Sequence, residues 1–336
     1  MRPLTVHTPK PIAPIANRPF LLYQLDLLAG TGITDIILCL SYQPRKIEDV
    51  LGDGGDYGFR IKYIVEASPL GTAGALKNCE GLIEGTTIVF NGDILTDLDL
   101  KPVIEQHRAT EAAATIVLTP VEHPSEYGVV ETHDNRRVKR FVEKPTANQV
   151  AAHTINAGMY ILEPSVLQHI SSGKSCSFEY DLFPALLEKS APFYAYTASS
   201  YWRDIGTPES YHRANLDVLA GKLRTYPLER PARGEKFDES ARLDDLSLVH
   251  PTCTIKAGAE IINSIIGPNC FIEERARIED SVLWSANRIS AQADIKGSVI
   301  GKSCHIGRSV IISTGTFLGD KSVLTDFSLL AASRLN

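Results

Sequence analysis

Residues 247–290 read SLVHPTCTIKAGAEIINSIIGPNCFIEERARIEDSVLWSANRIS. Bulky apolar residues return here at steps of 6, 6 and 5, which sum to 17, and the pattern runs on to residue 329. The series is Val249, Ile255, Ile261, Ile266, Ile272, Ile278, Leu283, Ile289, Ile295, Ile300, Ile306, Ile312, Phe317, Val323, Leu329. Two residues before each lies a second series, mostly small: Ser247, Cys253, Ala259, Ser264, Cys270, Ala276, Ser281, Asn287, Ala293, Ser298, Cys304, Val310, Gly315. Lys321 and Phe327 break that rule in the last coil. A helix needs apolar spacings of 3 and 4. A coil of three short strands needs one large inward residue per strand and a small one at each corner. The repeat therefore predicts a parallel β-helix, left-handed, of stacked coils. Cys253, Cys270 and Cys304 share the column of small slots and are expected to be core residues rather than redox or metal groups.

Upstream the chain alternates. FLLYQLDLLAGTG (20–32) predicts a helix ended by glycine, and DIILCLS (35–41) a buried strand. QPRKIEDVL, TAGALKNC and KPVIEQHRAT predict helices. FRIKYIVE, TTIVFNGDIL and AAATIVLTPV predict strands. This is the sequence of a Rossmann-like α/β domain with a mixed, mostly parallel sheet, in which ligands bind beyond the carboxyl ends of the strands. Between about 125 and 206 short strands and an Asn135 turn predict an antiparallel insertion over one side of the cleft. SFEYDLFPALLEK and TPESYHRANLDVLAGK predict two more helices. The expected domains are 1–225, a linker at 226–243, and the β-helix at 244–336.

The 336 residues carry a net charge of −6 with no basic run, so a nucleic-acid partner is not expected. No apolar run spans a bilayer and no signal peptide is visible. The six cysteines (39, 79, 176, 253, 270, 304) form no metal-ligand spacing, as suits reduced thiols in a cytoplasmic protein. Five prolines between Met1 and Pro19 forbid a regular helix there and set Lys10 in a stiff loop. A frayed terminus is the alternative for that stretch. His250 and His305 lie in the repeat, where an acyltransferase histidine would sit, although a turn histidine explains them as well.

RPLT (2–5), TPKP (8–11), NRP (17–19), PLGTAGAL (69–76), NGD (91–93), YGVV (127–130), VEKP (142–145), NAGMY (156–160) and WRDIGTPESY (202–211) stand in that order. Together with the repeat they resemble the sugar-nucleotide pyrophosphorylases that carry a hexapeptide-repeat tail, closest to the mannose-1-phosphate guanylyltransferase branch. The resemblance implies transfer of a nucleotidyl group from a nucleoside triphosphate to a sugar 1-phosphate, releasing pyrophosphate. The attacking phosphate is already ionised near neutral pH, since its second pKa is about 6. Such an enzyme needs charge and alignment rather than a general base.

By resemblance Asp93 and Asp204 hold Mg²⁺, which takes few protein carboxylates and fills its shell with phosphate oxygens. Lys10 is the implied phosphate contact. Glu66, Pro69, Gly71, Thr72 and Gly92 fall at nucleotide positions, and Gly128, Glu143, Lys144, Asn156 and Glu179 at sugar-phosphate positions. Glu179 reads equally well as a helix N-terminal acid. Glu66 can only accept hydrogen bonds, which suits the paired donors of guanine and so GTP. Glucose-1-phosphate thymidylyl or uridylyl transfer is the alternative chemistry. The family's opening strand and GGxGTR loop would precede RPLT. Without that loop the expectation divides between a start upstream of Met1 and a non-catalytic regulatory or sugar-nucleotide-binding relative. A homo-oligomer joined through the β-helix is also expected.

Overall fold

The computed structural model describes residues 1–146, 152–224, 228, 231, 233–332 and 334–335. Much of the first half of the expected linker, at 226, 227, 229, 230 and 232, lies outside the described residues. In chain order the elements before the repeat are β1 (Pro14–Ile15), β2 (Arg18–Pro19), α1 (Phe20–Asp26), β3 (Asp35–Leu40), α2 (Pro44–Leu51) and β4 (Arg60–Val65). There follow α3 (Gly71–Asn78), β5 (Thr87–Phe90), β6 (Ile94–Thr96), α4 (Leu100–Ala109), β7 (Ala114–Pro120), β8 (Gly128–Thr132) and β9 (Val138–Glu143). The last are β10 (Thr154–Leu162), α5 (Phe183–Glu188), β11 (Phe193–Thr197), β12 (Trp202–Asp204) and α6 (Pro208–Leu219). The chain forms two compact units, Leu27–Trp202 and Met1–Asp26 with Arg203–Asn336.

The unit Leu27–Trp202 holds two sheets. One has the order β11-β7-β10-β8-β9, with β5 also pairing β10. Here the expectation of a mostly parallel sheet is corrected. Only β11–β7 is parallel in it; β7, β8 and β5 all meet β10 antiparallel, as β8 meets β9. The strands read as a separate insertion join the main sheet, because β10 is long enough (nine residues) to serve three neighbours. The other sheet is the parallel pair β3–β4. β3 was expected to be buried, yet it is mostly half-exposed. A strand of a parallel sheet is buried where other elements cover both of its faces, and β3, paired with β4 alone among the described residues, is not so covered. α1 also stops a turn earlier than its pattern suggested, at Asp26, before the turns at 27–32.

The second unit contains the repeat. Its coils stack as parallel sheets of six, six and five strands. Every inward residue from Val249 to Ile312 is at most 5% exposed. The last coil departs from the reading. Val323 and Leu329 are 67% and 71% exposed, while Leu318 and Leu324 enter the core with Leu330 packed against it. Val299 pairs with Phe317, an offset of 18 instead of the 17 that joins Ile265 to Val282. One extra residue near Gly315 moves the following side chains to the other face, as a slip of one must in a strand. Thr316, Ser322 and Ser328 then fill the small slots, and Lys321 and Phe327 become corner residues with φ of 63° and 62°. The two exceptions to the repeat disappear once the slip is included.

The small series does more than make room. Ser264 N–H donates to Ser247 Oγ (3.1 Å), Ser281 N–H to Ser264 Oγ (3.0 Å) and Ser298 N–H to Ser281 Oγ (3.1 Å). The three cysteines of the column are buried and donate to backbone carbonyls of a neighbouring turn, at 3.1 Å for Cys253 and Cys270 and 3.2 Å for Cys304. Their sequence reading as core residues holds.

The N-terminal stretch is packed rather than frayed. Leu4, Ala13 and Ile15 are fully buried. Residues 14–19 form a two-residue hairpin, with Pro14 facing Pro19 and Ile15 facing Arg18. Its corner residues, Ala16 and Asn17, have φ of 46° and 64°. That double positive φ is the turn the right-handed strand twist favours, usually built with Asn-Gly. Alanine at the first corner costs about 1–2 kcal/mol, so neighbouring contacts must hold it.

Candidate active site

Eleven of the thirteen expected site residues lie in the unit Leu27–Trp202, and three of them, Thr72, Asn156 and Glu179, are joined in one group through Tyr160. The group starts at the bulge of β10, where the pairing with β7 shifts between Asn156 and Tyr160. Gly158, at φ 73°, makes the bulge; a Cβ there would meet Asn91 Nδ2 at 2.9 Å. Asn91 N–H donates to Gly158 O (2.8 Å), which fixes the turn that carries Gly92 and Asp93 between β5 and β6. Asn156 accepts from Gly158 N–H (2.9 Å) and donates to the Tyr160 hydroxyl (2.8 Å). Tyr160 then reaches Glu179 Oε1 at 3.4 Å. Burial, and next the Glu179 carboxylate, raise Tyr160 well above the usual phenol range, so it stays a donor.

Glu179 is held from a second side. Ser177 Oγ donates to its Oε2 (2.8 Å) and accepts from the Glu179 and Tyr180 N–H groups (3.0 and 3.1 Å). Thr72 Oγ1 lies 3.4 Å from the same Oε2 and accepts from Phe178 N–H (2.9 Å). Glu179 sits in the first turn of a helical segment, as one of its two sequence readings expected. Glu143 ends β9. Burial, and then the nearby Glu179 carboxylate, push its carboxyl up from the ordinary value of 4.5, while Lys144 pulls the other way. Its Oε2 occupies the space over Gly128, where a Cβ would stand 2.6 Å away. Lys144 is exposed, with φ 45° and its N–H on Tyr127 O (3.1 Å). Tyr127 packs edge-on against Trp202, whose indole donates to Ala157 O (3.0 Å).

Some expected contacts are spent on the fold. Gly71, at φ 72°, would drive a Cβ to 2.6 Å from Cys176 O. The 174–176 segment makes the close backbone approach there, with Ala73 and Gly74 N–H groups also on Cys176 O (2.9 Å each). The close approach at Gly128 is likewise made by a protein group, Glu143. Asn156 uses both ends of its amide within β10. Glu66 follows β4, and its Oε2 accepts from Leu70 N–H (3.1 Å), which closes the loop carrying exposed Pro69. Gly92 has no neighbour within 4 Å of a notional Cβ.

Lys10 and Asp204 belong to the other unit. Lys10 opens a 3₁₀ turn whose Ala13 N–H returns to Lys10 O (3.0 Å). Asp204 ends β12; its Oδ1 accepts from Gly206 N–H (2.6 Å), and its backbone carbonyl accepts from Ser210 Oγ. Among the described residues no group of three or more His, Cys, Asp and Glu side chains gathers around one point. Asp93 and Asp204 each carry hard carboxylate oxygens, the donor type that Mg²⁺ takes alongside phosphate and water. A cleft of about 410 Å³ beside α6, lined by Arg213, Asp217, Asn263 and Asp280 among others, contains none of the expected residues. His250 hydrogen-bonds Thr252 (2.8 Å) and His305 is exposed on its strand.

Tyr160 and Ser177 hold Glu179 by hydrogen bonds, and sequence reasoning did not single them out. Tyr160 lay inside the quoted NAGMY motif. Ser177 caps the following segment while Asp181 accepts its N–H (2.7 Å), and a serine just ahead of acidic residues is a sequence signal of that arrangement.

Comparison with known proteins agrees with this architecture. The family model described as "Nucleotidyl transferase" matches residues 1–221, and that described as "EIF2B subunit epsilon LbH domain" matches 232–329. The chain belongs to the nucleotidyl transferase family. It is 38% identical over 271 residues to a mannose-1-phosphate guanylyltransferase of Mycobacterium tuberculosis, covering 79% of this chain and 71% of that one. It is 32% identical to a UTP–glucose-1-phosphate uridylyltransferase of Synechocystis, covering 99% and 90% of the two chains. The crystal structure of HddC from Yersinia pseudotuberculosis complexed with GMP-PN superposes with a TM-score of 0.56 at 32% identity, over 65% of this chain and 93% of that one. No helix among the described residues is long and apolar enough to cross a membrane.

Proposed function

We propose that this chain transfers a guanylyl group from GTP to mannose 1-phosphate and releases pyrophosphate. The observation that carries the reading is the connected group Asn156–Tyr160–Glu179–Thr72 with Glu143 and Lys144 beside it. It offers two carboxylates for sugar hydroxyls and an exposed ammonium for the sugar phosphate, in the unit that also bears the Asn91–Asp93 turn. The relatives' guanylyltransferase names and the GMP-PN complex support the base.

Glu143 and Glu179 orient the sugar through its hydroxyls, and Lys144 holds the phosphate whose oxygen attacks the α-phosphorus. Lys10 contacts the triphosphate. Asp93 and Asp204 hold Mg²⁺, which when bound supplies positive charge to the phosphates. Proton transfer from the nucleophile is not required. Gly71 and Thr72 shape the nucleotide side by fixing α3 against the 176–179 segment, and Pro69 and Gly92 border it. We place the boundary between the transferase domain and the β-helix at 226–243; the two family matches end at 221 and begin at 232. The setting we propose is cytoplasmic, supported by six cysteines none of which is in a disulfide. We propose a homo-oligomer as well, supported by the exposed Val323, Phe327 and Leu329 of the last coil.

Uridylyl transfer to glucose 1-phosphate is the second reading. It is favoured by the uridylyltransferase similarity along almost the whole chain. Pyrophosphate release should be measured with GTP, UTP and dTTP, each with mannose and glucose 1-phosphates and Mg²⁺. Guanylyl transfer predicts the highest rate with GTP and mannose 1-phosphate. A higher rate with UTP and glucose 1-phosphate would replace it by the second reading, and no release with any pair would remove both.

A further inference from the structure

The N-terminal hairpin, α6 and the repeat share one unit, and their contacts converge on the hairpin. Tyr211 of α6 is fully buried, and its hydroxyl accepts from Trp284 Nε1–H (2.9 Å) while donating to Pro14 O. Trp284 stands in the repeat and is 1% exposed; the two rings meet edge-on at 6.1 Å. Asn215, also fully buried, accepts from Ala16 N–H (3.0 Å) and donates to Tyr211 O (2.9 Å). Asn17 Nδ2 donates to Ile266 O, a carbonyl of the β-helix, at 3.1 Å. His212 meets Asp280 O (2.6 Å) and ties α6 itself to the coils.

These bonds fall on the two corner residues whose positive φ makes the turn costly, and on Pro14, the first residue of the strand that leads into them. From the hairpin a short backbone path leads to Lys10: Phe20 N–H to Ala13 O (3.0 Å), then Ala13 N–H to Lys10 O (3.0 Å). A lysine side chain is a flexible point charge, so its aim depends on a fixed backbone.

We infer that the β-helix, through Trp284, Tyr211 and Asn17, is the anchor that positions the Lys10 loop for its nucleotide. Trp284, Tyr211 and Asn17 are positioning residues: they act on the loop and not on the reacting atoms. The repeat then has a role in the unit that carries Lys10, apart from any role in assembly. The functional half of this inference rests on Lys10 contacting the triphosphate, as proposed above; the structural half does not.

The test uses the whole chain and three variants: Tyr211→Phe, Asn17→Gly and Lys10→Met. Asn17→Gly keeps a residue at ease with positive φ and deletes only the bond to Ile266 O, so it guards against a Tyr211→Phe chain that folds poorly. Amide exchange is followed by mass spectrometry in peptides from 10–26 and from the coils 255–312, and magnesium–GTP binding by calorimetry. Anchoring predicts exchange in 10–26 faster by about tenfold in Tyr211→Phe and by a smaller factor in Asn17→Gly, with the coils unchanged. It predicts GTP binding weakened by about 3–10-fold in both, and weakened in Lys10→Met with no change in exchange. Unchanged exchange in 10–26 in both anchor variants overturns the inference. Faster exchange with unchanged GTP affinity keeps the anchor and removes its functional half. Unchanged GTP affinity in Lys10→Met, or no GTP binding by the wild-type chain, counts against the proposed role of Lys10, and the exchange comparison then decides the anchor alone.

Discussion

Glu143 shows how a proposed binding residue is held at a cost to the fold. Its carboxyl is raised by burial and by Glu179, so the native state disfavours its charge. For a group whose folded pKa lies above the unfolded one, the favourable contribution is complete below the unfolded value. It is lost as pH rises through the folded value. At pH 7 Glu143 is therefore a net burden, and Glu143→Gln should raise the melting temperature by about 1–2 °C there. The gap should close as pH falls toward 4, and melting curves of both proteins between pH 4 and 8 check this. The same variant should raise KM for the sugar 1-phosphate about tenfold or more, because an amide cannot replace a charged acceptor. Asp204→Asn should lower kcat by about 10²–10³-fold and shift the Mg²⁺ dependence; a magnesium titration of both proteins measures it. The residues carrying these predictions were legible as types in the sequence. What was not legible is that Asn156 and Gly128 serve neighbouring side chains. A spacing does not say which way an amide turns or what fills the space above a glycine.

Among the elements, the repeat was the most legible, since its period follows from coil geometry alone. Its small series was read for size, and the structure adds a ladder of hydroxyl–amide bonds. Ser281→Ala keeps the size and leaves the Ser298 N–H without its acceptor, so it should cost about 1–2 kcal/mol in urea unfolding. The slip in the last coil gives a sharper test. Leu324→Ala should cost about 2–3 kcal/mol and Val323→Ala no more than about 0.5. A repeat continued at 17 residues would reverse that order. The slip was hidden because both Phe317 and Leu318, Val323 and Leu324, Leu329 and Leu330 are apolar, so either register satisfied the pattern. β3 misled for a related reason: an apolar run reports what a strand is able to bury, while its neighbours decide what is buried.

Across the molecule, the first 26 residues pack in one unit with the repeat, although more than 170 residues separate them from α6. A chain cut at 225 keeps the whole span matched by the nucleotidyl transferase model and loses Trp284 and Ile266 from around the hairpin. It should be cleaved by chymotrypsin at Phe20 or Tyr23 at least tenfold faster than the full chain, as judged by the rate of release of the N-terminal peptide. Local periodicity and ordered motifs were enough to determine the α/β-then-β-helix architecture, the nucleotidyl transferase family and the residue types of the site. Only the tertiary structure decided that β10 joins three neighbours, that Tyr160 and Ser177 hold Glu179, and that the hairpin leans on α6 and the coils. The physical reason is range. Period and turn chemistry act over a few residues and are written in order along the chain, whereas a hydrogen bond from Trp284 to Tyr211, 73 positions apart, exists only once folding has brought its partners together.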